Sequence, residues 1–401
     1  MKHSEERTLT THAGSLPRPE ELIRLYAEQM DGNLRDSDAL DDCLRASVST
    51  VLADQVNAGI DIVNDGEFGK PTRAATNNAA WGSYIYGRIS GFGPAIPGQE
   101  TPKENPTPPA KIVSIRHEQR EFAEYYQETA PGSVTSPPGR SMCIGPIEYT
   151  GHAALKADLD NLKAAVVQSG VEEAFVSSIA PGSIEVFSRG QNAYYGTTEE
   201  FLAAISRAMQ EEYRAIVEAG FLLQIDDPGL PDAWDMLEPL PTIEEYRRFA
   251  LLRVEALNAA LESIPEDRVR YHMCWGSWHG PHTTDIPLKD VVDVMLQVKA
   301  GAYSIEAANV RHEHEWKVWQ DVKLPDGKIL IPGVVSHATN VVEHPELVAD
   351  RIIQYAQQVG RENVVAGTDC GIGGRVHPSI AWAKLRVLVE GASLASSALW
   401  K

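Results

Sequence analysis

A chain of 401 residues of which 43 % are apolar can build a large core, and this excludes an intrinsically disordered protein. Its 36 Lys and Arg stand against 56 Asp and Glu, a formal charge of −20 spread along the whole length, which argues against nucleic acid or an anionic membrane as partner. An anionic substrate would need a local cationic patch.

Short apolar runs that end in polar or glycine residues recur along the chain, separated by amphipathic stretches of helical period, the mark of repeated βα units. In order the strand candidates are 10–15, 61–67, 142–149, 173–182, 221–228, 268–276, 302–309, 329–336 and 363–371. Nine runs are one too many for a (β/α)8 TIM barrel, the expected α/β fold. The run 142–149 follows a long irregular segment and is assigned to a hairpin outside the ring. Apolar residues at three- and four-residue spacing predict outer helices over 200–220, 242–264 and 344–360. The Pro- and Gly-rich stretch 70–140 interrupts the pattern after the second strand. An insertion of that length reads as a lid or interface segment of one barrel domain spanning 1–401.

No run reaches the roughly 20 apolar residues of a membrane span. The opening MKHSEERTLT lacks the apolar core of a secretory signal, so a cytoplasmic setting is expected. Four widely spaced cysteines do not make a disulfide framework, and a reducing compartment keeps thiols available to metals. Cys43 and Cys143 have no ligand-like neighbours in sequence and read as small core residues.

In a parallel barrel the active-site face lies where the strands end and the βα loops begin. Ser15, Glu67, Asp226, His272, Cys274, Glu306, His337 and Cys370 all sit at such ends. His272 and Cys274 lie two apart in YHMCWG, so a strand sends imidazole and thiol to one side, within reach of one metal. A set of one His, two Cys and one Glu suits Zn²⁺ rather than Mg²⁺ or Ca²⁺, which prefer oxygen shells. Three firm ligands and a weaker carboxylate would suit a catalytic site with one exchangeable position.

The order His272-x-Cys274, Ser304-Ile305-Glu306 and Asp369-Cys370-Gly371 resembles the zinc-binding series in the catalytic half of cobalamin-independent methionine synthase. GSLPRP (14–19), NDGE (64–67), QIDDP (224–228) and GVVSH (333–337) are similar to further landmarks of that family in the same order, over about Thr10 to Arg375. The resemblance implies zinc held by His272, Cys274, Glu306 and Cys370. It implies Ser15 at the carboxylate of an amino-acid thiol, Glu67 and Asp226 at its ammonium, and His337 as the acid that protonates the leaving group. The implied reaction belongs to methionine biosynthesis: a thiol, homocysteine first, is activated as a zinc thiolate and attacks a methyl donor.

Departures from the family pattern bear on the donor. The chain lacks the family's N-terminal half and resembles its short single-barrel members. Where the family stacks a tryptophan on folate, APGSIEVF offers Phe187. Asp227 replaces a glutamate, GVVSH is one residue short, and Arg18 stands where longer enzymes carry no charge. An arginine suits a carboxylate, phosphate or sulfonate, and Lys70 and Arg73 read as ordinary surface charge. The donor is therefore a folate, a methyl-corrinoid protein or an epoxide. Rival readings are an epoxyalkane:coenzyme M transferase, a metal-free porphyrinogen decarboxylase, and a non-catalytic metal- or thiol-binding barrel; for the enzyme itself a homo-oligomer is compatible with the sequence. Loop histidines His279, His282, His312 and His314 read as mostly solvated, and Trp275, Trp278, Trp316 and Trp319 as an apolar cap or packing.

Overall fold

The computed structural model describes residues 1–75, 78–94, 110–113, 115–129 and 142–401. Eight parallel strands form the ring: β1 (Leu9–Thr10), β2 (Ile62–Asn64), β3 (Glu173–Ile179), β4 (Leu222–Asp226), β5 (Val269–Met273), β6 (Ala302–Ile305), β7 (Ile329–Val335) and β8 (Val365–Thr368). From β2 to β8 each strand pairs with the next in sequence, and β1 pairs with β8, so β1 and β2 stand at the two ends of the strand order. At the β1–β2 seam, Asp61 N–H reaches the Thr10 carbonyl at 3.2 Å and Thr11 Oγ1 donates to the Ile62 carbonyl at 2.9 Å. Parallel neighbours require crossovers, and helices fill them on the outside of the ring.

The two faces of the strands divide the core. Ile62, Phe175, Leu222, Ala302, Ile329, Ile331 and Val365 form a separate apolar cluster. Five of them are the first residues of their strands, so this cluster plugs the lower end of the barrel. Above it Arg270 lies across the Phe175 ring, 4.0 Å from its centroid, and donates to Thr11 Oγ1 and the His12 carbonyl, both at 2.9 Å. The larger cluster packs between strands and helices. What remains for chemistry is the upper end, where the strands stop.

The outer helices are Thr198–Glu218, Ile243–Ala260 and Pro345–Val359 at the predicted places. Thr242 and Glu245 form a capping box at the second of these. That helix stops at Ala260, short of the predicted 264, because Pro265 bars the residue before it from helical geometry. The predicted strand 61–67 is also shorter, since Gly66 and Glu67 adopt φ of 69° and 61° and turn the chain. As expected, the run 142–149 stays outside the ring: Met142–Cys143 pairs antiparallel with Phe92–Gly93.

The insertion between β2 and β3 carries helix Asn78–Arg88 and helices His117–Glu121 and Ala123–Thr129. Much of the predicted lid, including 95–109 and 130–141, lies outside the described residues. Buried polar contacts hold the described parts to the barrel. Arg116 grips Asp232 through both guanidinium nitrogens, one at 2.6 Å, and lies 4.1 Å from the Trp278 ring. Tyr84 and Tyr149 donate to Glu212, the latter at 2.6 Å.

Candidate metal centre

The register of the sheet sets the first row of the site. Asp226 on β4 lies opposite His272 on β5, and His272 lies opposite Ser304 on β6. All three point into the mouth, while the intervening residues face the helices. Asp227 illustrates the alternation: it accepts from Ser183 Oγ at 2.6 Å and Tyr271 hydroxyl at 2.8 Å on the outer side, not beside Asp226.

His272, Cys274 and Cys370 converge, each offering a ligand atom within 4.8 Å of the others. The two sulfurs are 3.6 Å apart, within hydrogen-bond reach of each other. Cys274, deeper and beside Glu306, has its thiol pushed well above the usual range by its contact with Cys370 and by burial. Cys370 is held well below that range by Cys274, His272 and His337. His272 is 2 % exposed; its Nδ1 lies 3.1 Å from Ser304 Oγ, while Nε2 has no hydrogen-bond partner among the described residues. An imidazole with one nitrogen engaged by a hydroxyl and the other left open, beside two thiols, is set up as a ligand. This soft donor set fits Zn²⁺.

Glu306, one residue past β6, lies close by but in a second buried trio with His337 and Asp369, again with ligand atoms within 4.8 Å. Its Oε1 accepts the Trp275 N–H at 2.9 Å, and Oε2 accepts from Asn309 Nδ2. Burial, with the charges of Asp369 and Cys370, raises its pKa well above the carboxylate range. Asp369 Oδ1 accepts the N–H groups of Ala307 and Ala308 at 2.7 and 2.8 Å, and Oδ2 is unpartnered among the described residues. Burial lifts its carboxyl to about 7. Gly333 permits this approach, since a Cβ there would stand 2.4 Å from the Asp369 backbone. His337, two residues past β7, is 2 % exposed with Nδ1 unpartnered among the described residues. Burial lowers its pKa to about 4 against the pull of Cys370, so the ring is neutral near pH 7.

On the other side of the mouth Asp226 is pushed well above the carboxylate range by burial and by the facing charge of Glu67, with Lys70 and Gln224 opposing. Gln224 Nε2 donates to Asp226 Oδ1 at 2.9 Å; Oδ2 has no hydrogen-bond partner among the described residues. Glu67 projects from a residue of positive φ, and a Cβ at Gly14 would stand 2.7 Å from its Oε1. Ser15 is packed against the β8 loop, its carbonyl accepting the N–H groups of Ile372 and Gly373 at 3.1 and 3.0 Å. Arg18 is buried and donates to the Glu67 carbonyl. Phe187 ends helix Pro181–Phe187 and packs half-buried against the large core.

Several readings from sequence change here. Lys70 is not surface charge: it is 5 % exposed, donates to the Ser177 carbonyl at 3.1 Å and lies 4.3 Å from the Trp81 ring. Arg73 does remain at the surface, paired with Asp31. His312 is not solvated but buried, stacked on Trp275. Asp369, Asn309 and Arg375 were missed. Asp369 sits inside the Asp369-Cys370-Gly371 motif, where it reads only as the neighbour of a thiol ligand, while Asn309 and Arg375 lie in loops without periodicity. Arg375 is mostly buried within electrostatic reach of Cys370 and Cys274, with Nη2 2.5 Å from Ser277 Oγ.

Comparison with known proteins agrees with this architecture. The chain is 24 % identical to a methionine synthase of Thermococcus kodakarensis, over 96 % of this chain and 92 % of that one. It is 23 % identical to a 2-hydroxypropyl-CoM lyase of Xanthobacter autotrophicus, over 98 % and 96 % of the two chains. The fold is that of a B12-independent methionine synthase from Shewanella solved with selenomethionine, with a TM-score of 0.69, 18 % identity and coverage of 98 % and 99 %. No helix among the described residues is long and apolar enough to cross a membrane. The family model described as cobalamin-independent synthase, catalytic domain, matches residues 163–394, and with that match over more than half its length the chain belongs to this family.

Proposed function

We propose that the protein is a zinc-dependent transferase that alkylates a thiol, with homocysteine the preferred acceptor and a methyl group the preferred cargo. One observation carries the reading: His272, Cys274 and Cys370 meet at the open end of the barrel, each offering a ligand atom within 4.8 Å of the others, and His272 Nε2 has no hydrogen-bond partner among the described residues. His272, Cys274 and Cys370 would hold the zinc, with Glu306 as the exchangeable fourth ligand. When bound, zinc supplies Lewis acidity that holds a substrate thiol as thiolate, which a free thiol of pKa about 8.5 is not at neutral pH.

The remaining roles belong to the chain. Asp226, facing Glu67 and with Oδ2 open, receives the ammonium of an amino-acid thiol. Ser15 and the β8 loop packed on it border the carboxylate end. The sulfur takes the alkyl carbon as the donor's bond to nitrogen, oxygen or cobalt breaks with its electron pair. A nitrogen or oxygen leaving atom is protonated by His337, whereas cobalt keeps the pair without a proton. Because the His337 ring is neutral near pH 7, the proton it passes on is first taken up from the thiol. Arg18 and Phe187 border the donor side of a one-domain cytoplasmic enzyme.

A second reading rests on Arg375. A guanidinium within electrostatic reach of the two cysteines suits an anionic thiol such as coenzyme M, with an epoxide as the carbon source. Metal analysis should find about one zinc per chain, and Cys370→Ser should lose both metal and turnover. A Cys370→Ser protein with full zinc and activity refutes the site. Titration with homocysteine and with coenzyme M, followed by X-ray absorption at zinc, separates the two acceptors by which one adds a sulfur.

A further inference from the structure

Glu306 is held by two donors that are themselves immobilised without its help. The Trp275 N–H lies 2.9 Å from Oε1. Trp275 is anchored through its indole N–H to the Ile286 carbonyl at 2.7 Å, and its ring stacks on His312 at 3.8 Å and 20°. His312 is in turn fixed on both sides, Nδ1 to Glu315 at 2.8 Å and Nε2 to Asp285 at 3.0 Å. The second donor, Asn309 Nδ2, reaches Oε2. Its orientation is dictated from behind: Asn309 Oδ1 accepts the N–H groups of Arg311 at 2.9 Å and His312 at 3.1 Å. The amide oxygen is thereby committed to the backbone, and the NH₂ must face Glu306.

We propose that Asn309 and the Trp275 main-chain N–H form a preformed berth for the Glu306 carboxylate, and that Asn309 is the positioning residue that sets how readily Glu306 gives up its ligand position to a substrate thiol. The inference rests on the zinc-thiol reading above and adds the device that makes the exchange affordable. A carboxylate leaving a metal inside a buried site loses hydration as well as its partner, and both losses oppose the exchange. Two oriented donors, one to each oxygen, replace what it loses. Removing one of them shifts the balance toward the metal-bound carboxylate.

The test uses zinc-loaded full-length protein with Asn309→Leu and the isosteric Asn309→Asp. Two quantities are read besides turnover: the rate of zinc transfer to a chromogenic chelator, and homocysteine affinity by calorimetry. Loss of a charge-assisted hydrogen bond predicts changes of about 10-fold in opposite directions, with slower zinc loss and weaker homocysteine binding. Asn309→Asp, which adds a like charge beside Glu306, should move both the same way at least as far. A merely structural role for Asn309 would weaken both together, and that result, or two unchanged values, overturns the berth. If the wild-type protein binds no zinc, or binds zinc and no thiol, the zinc-thiol reading falls instead.

Discussion

The sulfurs of Cys274 and Cys370 lie 3.6 Å apart although 96 positions separate them in the chain. Strands β6 and β7 intervene in sequence, and the curvature of the barrel brings the ends of β5 and β8 face to face across the mouth. A free thiol pair this close needs only a small approach to reach the roughly 2.05 Å of a disulfide.

Metal-stripped protein treated with diamide should therefore form a Cys274–Cys370 disulfide, whereas zinc-loaded protein resists. Cys43 and Cys143 remain thiols. Non-reducing peptide mapping by mass spectrometry checks both points. Equal oxidation with and without zinc would mean that the metal does not sit on these sulfurs.

Asp226→Asn should trade stability for binding. Its folded pKa is raised, so the wild-type fold is favoured below the unfolded value near 4 and loses stability as pH rises above it. The variant should be more stable than wild type at pH 7 by about 1 kcal/mol, and the advantage should vanish below about pH 4. Affinity for homocysteine should drop about 10- to 100-fold, while 4-mercaptobutyrate, which lacks the ammonium, is little affected. Urea unfolding at two pH values and calorimetry with both thiols give the comparison. Equal losses for both thiols would remove Asp226 from the ammonium site.

His12 should make the fold acid-sensitive. Its Nδ1 accepts the Gly14 N–H at 3.2 Å and its Nε2 meets Gln55 Oε1 at 2.8 Å, so the neutral tautomer is fully used. Burial and the nearby Arg270 hold the folded pKa at about 4, with Gln55 opposing. An unfolded histidine near 6.5 binds the proton more readily, so stability contributed by neutral His12 is present above about pH 6.5 and lost as pH falls toward 4. The loss amounts to about 3 kcal/mol at most. Melting temperatures from pH 7 to 4 should fall less steeply for His12→Asn than for wild type. Parallel profiles would refute the assignment, since His337 titrates in both proteins.

Periodicity made the repeating units legible. Helix Ile243–Ala260 is announced by its apolar spacing and by Thr242 and Glu245 at its start. The strand β7 reads as an unbroken apolar run because both its faces are buried. The short strands β1 and β2 were overestimated, because apolar composition does not reveal where Gly14, Gly66 and Glu67 turn the backbone to positive φ. The lodging of Glu306 was not legible either. Nothing in the run SIEAAN (304–309) tells whether the carboxylate points at the sulfurs or at Asn309 and Trp275, since Trp275 comes from the loop of another strand.

By itself the sequence determined which chemical groups stand at the strand ends. Period-two alternation puts His272 and Cys274 on one side, and strand termini in a parallel barrel share one face. Only the tertiary structure decided which of those groups meet. Ring closure carries Cys370 to Cys274, the register aligns Asp226 with His272, and burial then sets the charge each group carries. Spacing along a strand is a local property of the backbone, whereas distance across a barrel mouth and the dielectric there depend on all eight strands at once.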